Sequence, residues 1–327
     1  MIVVTGGAGF IGSAVVAYLN AAGEKDILVV DNLADSAKWK NLVSLKYLDF
    51  VHKSQFLARL EAGDFGRPQA IVHMGACSST TETDGDYLMA NNYAYTRMLA
   101  EYALEKDIRF IYASSAATYG GIESGFNDDD ATSLTLKPIN RYGYSKQIFD
   151  EVAIAKGWTK QIAGLKFFNV YGPNEYHKKD MSSVIYKAYY QIGDNGFLKL
   201  FKSHRPDFGD GEQKRDFVYI KDCVHVIGQL LQNRSANGIF NLGSGAARSW
   251  NELAAAVFSA MGKEKRIEYI EMPAQLIGSY QYFTQASMKK LQAGGISLRQ
   301  TSLEEGVADY VKNYLMAGEL RLQDRQF

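Results

Sequence analysis

Short apolar runs alternate with longer helix-like segments along the first half of the chain. Met1–Thr5, Ile27–Asp31, Ala70–Met74, Arg109–Ala113 and Gln161–Phe168 are compact runs that read as strands covered on both faces. The segments Phe10–Ala22, Asp84–Glu105 and Ile139–Lys156 between them read as helices. Strands alternating with helices imply βαβ units and a parallel sheet. The alternation weakens after Gly172. Asp194–Gln213 is rich in Gly, Asp, Lys and Arg and reads mainly as loop, and Asp128–Asp130 reads as a solvated loop. Phe217–Ile220 and Gly238–Leu242 then read as strands again, flanking a helix at about Asp222–Leu231. The chain is therefore expected to leave the sheet near Gly172 and return near Phe217. The fold class is α/β, a doubly wound parallel sheet with a smaller C-terminal α/β domain. The expected division gives the large domain residues 1–171 with returning segments at about 217–245 and 279–296. The substrate domain takes 172–216, 246–278 and 297–327.

The first strand runs into Thr5-Gly6-Gly7-Ala8-Gly9-Phe10-Ile11-Gly12. Gly6 permits a tight turn, Gly9 lets backbone approach a pyrophosphate, and Gly12 lets the helix pack closely on the strand. The helix N-terminus then offers N–H groups and a positive dipole end to phosphate. Placed between a strand and a helix, the pattern is that of a Rossmann-type dinucleotide site. Asp31 ends the second strand about twenty residues on, where a carboxylate accepts from ribose hydroxyls and favours NAD. Lys38 and Lys53 pull the other way, since either could neutralise a 2′-phosphate and favour NADP.

Tyr142 and Lys146 stand four residues apart on a predicted helix and so share a face. A free tyrosine titrates at about 10, too high for a base at neutral pH. A nearby ammonium and an oxidised nicotinamide would lower that value, so Tyr142 could take a proton from a substrate hydroxyl. Lys146 would also hold the nicotinamide ribose. Ser115, at the end of the Arg109–Ala113 strand, could hydrogen-bond the reacting oxygen.

At 327 residues the chain has room for one large domain and a smaller one. Its 36 basic residues balance 36 acidic ones, so neither nucleic acid nor a membrane surface is an expected partner. Cys77 and Cys223 lack a metal-ligand spacing, no metal site is expected, and their scarcity suits a reducing compartment. The strand-like opening leads to the expectation that no signal peptide precedes the fold, and no apolar stretch of about 18 residues predicts a membrane span.

The glycine loop, the Tyr-x-x-x-Lys pair and the strand-end serine resemble the extended short-chain dehydrogenase/reductases that modify nucleotide sugars. The segments His73–Ala76, Arg215–Tyr219 and Phe240–Gly245 add to that likeness. Within the superfamily, Gly75–Glu82, Ala113–Gly121, Phe167–Pro173, Val30–Leu33 and Tyr280–Ala286 look like the ADP-L-glycero-D-manno-heptose 6-epimerases. The likeness implies NADP as the cofactor, with NAD left open by Asp31. It places Lys38 and Lys53 near the adenosine phosphate, with Phe10, Ile11, Asp31 and Asn32 lining that side. Met74, Gly75, Ala76, Cys77, Ser78 and Asn91 would line the cofactor channel, and Val170 would touch the cofactor too. Lys178 would reach the cofactor and act as a second acid/base group opposite Tyr142. Asn169, Phe201, Arg215 and Tyr280 would contact the sugar nucleotide together with Ser115. Asp180 and Lys187 stand where the family has serine and histidine, and the His204–Gln213 loop is longer.

The implied reaction is epimerisation at C6 of an ADP-heptose, by transient oxidation to an aldehyde and re-reduction by tightly held NADP. The implied setting is a cytoplasmic homo-oligomer, of five copies by the family likeness, that supplies heptose for the lipopolysaccharide core. Another nucleotide-sugar epimerase, such as a 4-epimerase, is the main alternative. A 4,6-dehydratase fits less well, because Ser115-Ala116-Ala117 lacks the acid that eliminates water. A non-catalytic cofactor-sensing protein is the alternative from another class, and the intact tyrosine and lysine argue against it.

Overall fold

A computed structural model describes residues 1–277 and 280–325. In chain order the strands are β1 (Ile2–Thr5), β2 (Ile27–Asp31), β3 (Asp49–His52), β4 (Ala70–His73), β5 (Arg109–Ser115), β6 (Ala163–Phe167), β7 (Asn169–Tyr171), β8 (Leu198–Phe201), β9 (Lys214–Tyr219), β10 (Gly238–Leu242), β11 (Ala247–Ser249) and β12 (Ile267–Ile270). Seven form one sheet in the order β10-β6-β5-β4-β1-β2-β3, with every neighbouring pair parallel. Successive side chains point to opposite faces, so Val3 and Val4 enter different buried clusters. Burial on both faces explains why these strands are continuous apolar runs. Each fully buried Val, Leu or Ile contributes roughly 1.5–3 kcal/mol relative to exposure.

The strand order reverses between β1 and β4. The chain runs outward from β1 through β2 to β3, then crosses back to β4 and proceeds the other way. Two neighbouring strands whose connections diverge leave a crevice at their C-terminal ends, where open α/β sheets take ligands.

The α/β Rossmann-type reading therefore holds, with five differences. Phe217 lies in β9, which belongs not to the large sheet but to a three-stranded sheet with β7 and β11. The chain leaves the large sheet after Phe167 and rejoins it at Gly238. Leu198–Phe201, expected in a loop, pairs in parallel with β12. Asp128, expected in solvent, is buried and accepts the Asn241 backbone N–H at 2.7 Å. The expected helix over 84–105 begins at Gly85 and widens into a π-helical turn at Met89–Ala94. Such turns interrupt regular helices mostly at functional sites. The expected domain boundary at 278–279 lies outside the described residues.

One buried polar cluster fastens the large sheet to the Arg141–Ala155 helix. Asp150 accepts Tyr112 Oη at 2.8 Å, Ser114 Oγ at 2.6 Å and Lys166 Nζ at 2.7 Å. Lys166 also donates to Thr118 Oγ1 at 2.8 Å. Both charged side chains are wholly buried, and Ser114 lies opposite Lys166 in the β5–β6 register. A buried ion pair is costly to break singly, because the remaining charge has no partner. Lys166→Met should lower stability by about 3–5 kcal/mol, and Asp150→Asn with Lys166→Met should recover much of that loss. Thermal or urea unfolding of the three proteins measures it; equal losses in the single and double variants would contradict the account.

Candidate active site

The glycine loop closes the C-terminal end of β1. Gly6 adopts φ +65°, and a Cβ there would stand 2.7 Å from the Gly75 backbone. A Cβ on Gly12 would collide with the Gly6 carbonyl, so the helix can sit this close only with glycine. The Phe10–Ala21 helix has no side-chain N-cap, which leaves its first-turn N–H groups free to meet phosphate. Gly9, Phe10, Ile11 and Gly12 line a cleft of about 440 Å³, within the range of ligand sites. A nicotinamide dinucleotide fits this cradle of bare backbone at a topological switch point.

Most of the expected cofactor residues meet in this cleft. Gly6, Asp31, Asn32, Lys38 and Lys53 line the side of β1 and β2. Met74, Gly75, Ala76, Cys77 and Ser78 line the β4 side, with Asn91 beyond them. Lys178 enters from the Tyr176–Met181 turn, its ammonium 5.5 Å from the centre of the Phe10 ring. Val170 is part of β7 and Lys146 is buried on the Arg141–Ala155 helix; neither is among the cleft's lining residues.

Asp31 is not a bare carboxylate. It accepts the N–H groups of Ala8 at 2.9 Å and Asn32 at 2.7 Å, and it pairs with Lys38 Nζ at 2.7 Å. Lys53 donates to Asn91 Oδ1 at 2.6 Å, placing a second cation on the same cleft.

Ser115, Tyr142 and Lys146 come together at the end of β5. The Ser115 hydroxyl accepts the Ala117 N–H at 3.1 Å and stands close enough to Tyr142 to favour its phenolate. Burial raises the Tyr142 phenol above its usual value; the Ser115 hydroxyl opposes this, and Cys77 adds to it. In the protein alone, desolvation of the phenolate outweighs the favourable contact. Lys146 is buried and donates to the Ala113 carbonyl at 2.8 Å. Burial pushes it down to about 8, against the attraction of Asp150 and Cys77. Lys178 is also lowered by burial, with Glu175 opposing and Lys187 reinforcing the shift.

Sequence reasoning missed the residues that hold these parts in place. Asn92, in the π-helical turn, exchanges hydrogen bonds with both the N–H and C=O of Cys77 and donates to Ser145 Oγ at 3.0 Å. It thereby ties the cleft wall to the helix that carries Tyr142. His73 sits beneath, against Thr5 Oγ1 at 2.6 Å and Thr96 Oγ1 at 2.8 Å. Thr96 already donates to Asn92 O, so the network assigns the His73 proton to Nε2. Burial, aided by Lys146, takes His73 down to about 3 and keeps it neutral. Ser36, Tyr87 and His177 also line the cleft without any motif to announce them, as does Ser79 within the Gly75–Glu82 segment.

The expected substrate residues divide. Arg215 is buried, with its guanidinium 5.1 Å from the Tyr280 ring centre and 5.8 Å from that of Trp250. Trp250 donates to Tyr280 Oη at 2.8 Å, and Arg215 donates to the Gln281 carbonyl. Gln281 in turn donates to the Gly120 carbonyl, just past the strand that ends in Ser115. Asn169 is exposed on β7, opposite Phe217 of the strand that bears Arg215. Asp180 and Lys187 are exposed and joined by Lys187 Nζ donating to Asp180 O at 2.5 Å. Phe201 is half-buried at the end of β8.

Residues 2–243 match the model of the NAD dependent epimerase/dehydratase family. The chain belongs to that family. It is an isomerase fold with a nicotinamide cofactor, which the glycine cradle accommodates. Among its relatives is an ADP-L-glycero-D-manno-heptose-6-epimerase of Nitratidesulfovibrio vulgaris, 59% identical over 98% of this chain and 99% of that protein. An enzyme of the same name from Fusobacterium nucleatum is 50% identical over 96% of this chain and 98% of its own. The crystal structure of Helicobacter pylori ADP-L-glycero-D-manno-heptose-6-epimerase superposes with a TM-score of 0.81 at 29% identity, covering 95% of each chain. Family membership accounts for the epimerase cradle, while the residue geometry shows how this member assembles it.

Lys146 makes the family site sensitive to pH. Unfolded, a lysine stays protonated up to about 10.4; folded, Lys146 releases its proton near 8. A lowered pKa means that the charged form costs stability, in full below pH 8, and that the cost fades as pH rises from 8 toward 10. Over that window the protein should gain about 3 kcal/mol relative to Lys146→Met. Denaturant unfolding of both proteins across the window measures it, and a pH-independent difference would contradict the burial of a charged amine.

Proposed function

We propose that this chain epimerises ADP-D-glycero-D-manno-heptose at C6 to ADP-L-glycero-D-manno-heptose, a precursor of lipopolysaccharide-core heptose. The observation that carries this reading is the placing of Tyr142 near Ser115, with buried Lys146 held on the Ala113 carbonyl, in a chain whose likeness to heptose epimerases runs over nearly its full length.

A dinucleotide in the cleft supplies a reversible hydride acceptor for C6. Tyr142 removes the proton of the C6 hydroxyl, and the Lys146 ammonium stabilises the resulting phenolate. Ser115 hydrogen-bonds the same oxygen and fixes its position. C6 of a heptose is bonded to both C5 and C7, so its oxidised form is a ketone; the expected aldehyde is corrected by that connectivity. Rotation about C5–C6 turns the other face of the ketone toward the hydride. Lys178, which lines the cleft, then serves as the proton donor for the turned oxygen. Arg215 and Tyr280 hold the sugar nucleotide beyond Ser115.

The cofactor in this reading is NADP. Lys38 offsets the charge of Asp31, and Lys53 adds a second cation, so a 2′-phosphate meets positive rather than negative charge. The same reading has a cytoplasmic homo-oligomer of five copies and divides the chain into a dinucleotide domain and a smaller substrate domain.

Hydride that leaves and returns to one carbon has an isotopic signature. Substrate deuterated at C6 should give product that keeps its label in ordinary water. Tyr142→Phe should retain cofactor while turnover falls by roughly 10²–10⁴-fold, the usual contribution of a general acid/base. Mass spectrometry of the product and turnover of the variant test both; loss of the label, or near-normal turnover of Tyr142→Phe, would contradict this mechanism.

A further inference from the structure

Two adjoining turns form rims of the cofactor cleft. Ala37–Asn41 carries Lys38, and Tyr176–Met181 carries His177 and Lys178. They come from segments far apart in the chain, and a buried polar knot behind the cleft joins them. Asn41 is 1% exposed. Its Nδ2 donates to the carbonyls of Ala8 at 3.1 Å and Asn174 at 3.0 Å, and lies 3.3 Å from His177 Nδ1. Ala8 belongs to the glycine loop itself. Asn174 is fully buried at φ +79°, a conformation asparagine tolerates better than most residues. Its Nδ2 donates to Ser13 Oγ, on the helix that follows the glycine loop, at 3.0 Å.

A third segment closes the knot from outside. Arg321 Nε donates to Asn41 Oδ1 at 3.2 Å, and Gln323 Nε2 donates to the carbonyls of Asn41 at 2.9 Å and Val43 at 3.0 Å. Leu322, 1% exposed, donates its N–H to Asn174 Oδ1 at 2.9 Å. Tyr176 Oη donates to the Leu320 carbonyl at 2.6 Å, and the Arg321 guanidinium lies 5.5 Å from the centre of the Tyr176 ring. The amides of both asparagines are thus engaged by protein groups, so their contribution is to position the rims rather than to touch a ligand. Burial makes each bond expensive to lose. A dinucleotide lying between the rims leaves readily only if they part, and this knot resists their parting.

We propose that Asn41 and Asn174, clasped by Arg321 and Gln323, are positioning residues that hold the two rims together and slow cofactor release. The proposal rests on this cleft being the dinucleotide site and not on which sugar is turned over.

The test compares the full chain with Arg321→Ala/Gln323→Ala and with Asn174→Gly, which keeps the positive φ. Cofactor dissociation is followed by fluorescence after dilution, and turnover is measured with and without added NADP. Loss of these bonds should speed release by about 10-fold or more. Turnover of the Arg321/Gln323 variant should fall without added cofactor and return to near the wild-type value when cofactor saturates. Release at the wild-type rate, or a loss of turnover that saturating cofactor does not restore, would overturn the clasp. A wild-type chain that binds no dinucleotide would overturn the cleft reading and the clasp together. An inactive sugar with normal release kinetics would count against the heptose assignment alone.

Discussion

The site depends on how the Arg141–Ala155 helix is fixed against β5. Tyr142, Lys146 and Asp150 are spaced by four residues and descend one face of the helix. Each meets β5 or its end at a different level: Tyr142 the Ser115 hydroxyl, Lys146 the Ala113 carbonyl, and Asp150 the hydroxyls of Ser114 and Tyr112. The lowest level is anchored by a wholly buried ion pair to Lys166 of the neighbouring strand. A slip of the helix by one residue would break all three levels at once. The position of the Tyr142–Lys146 pair and the charge of Lys146 are therefore set by the same contacts, since Asp150 also counters the loss of the Lys146 proton that burial favours.

The remaining geometry grows from the point where the strand order reverses. β1 delivers the glycine loop and β4 delivers the Met74–Ser78 wall, side by side and parallel. Asn92 then links that wall to the helix bearing Tyr142, so the glycine cradle and the Tyr142–Lys146 pair share one frame. Asp216 does a similar task at the substrate end. Its buried carboxylate accepts from Ser244, Gly245 and Ala286 and ties the loop after β10 to β9, the strand that carries Arg215. An epimerase that keeps its cofactor through an oxidation and a reduction needs both ends held in register while the sugar turns between them.

Local chemistry was legible in the sequence, and long-range pairing was not. The glycines at 6, 9 and 12 announce themselves because backbone geometry forbids side chains there. The Tyr142–Lys146 spacing announces a shared helix face. Nothing in Phe217 tells which strand it will pair with, since an apolar run specifies burial and not partner; it joined a second sheet. Leu198–Phe201 was hidden by the polar residues around it. Lys166 is a charged residue inside an apolar strand, a visible oddity whose partner sixteen residues away only the fold identifies. Asn41 and Asn174 carry no motif at all, because their work is done by amides meeting backbone more than a hundred residues distant.

The central claim is a redox-neutral epimerisation by a retained cofactor. Proton NMR of ADP-D-glycero-D-manno-heptose incubated with purified protein and no added cofactor tests it most directly. The account predicts conversion to the L-glycero epimer with no net change in the bound dinucleotide. No conversion, with the dinucleotide confirmed in place, would contradict it.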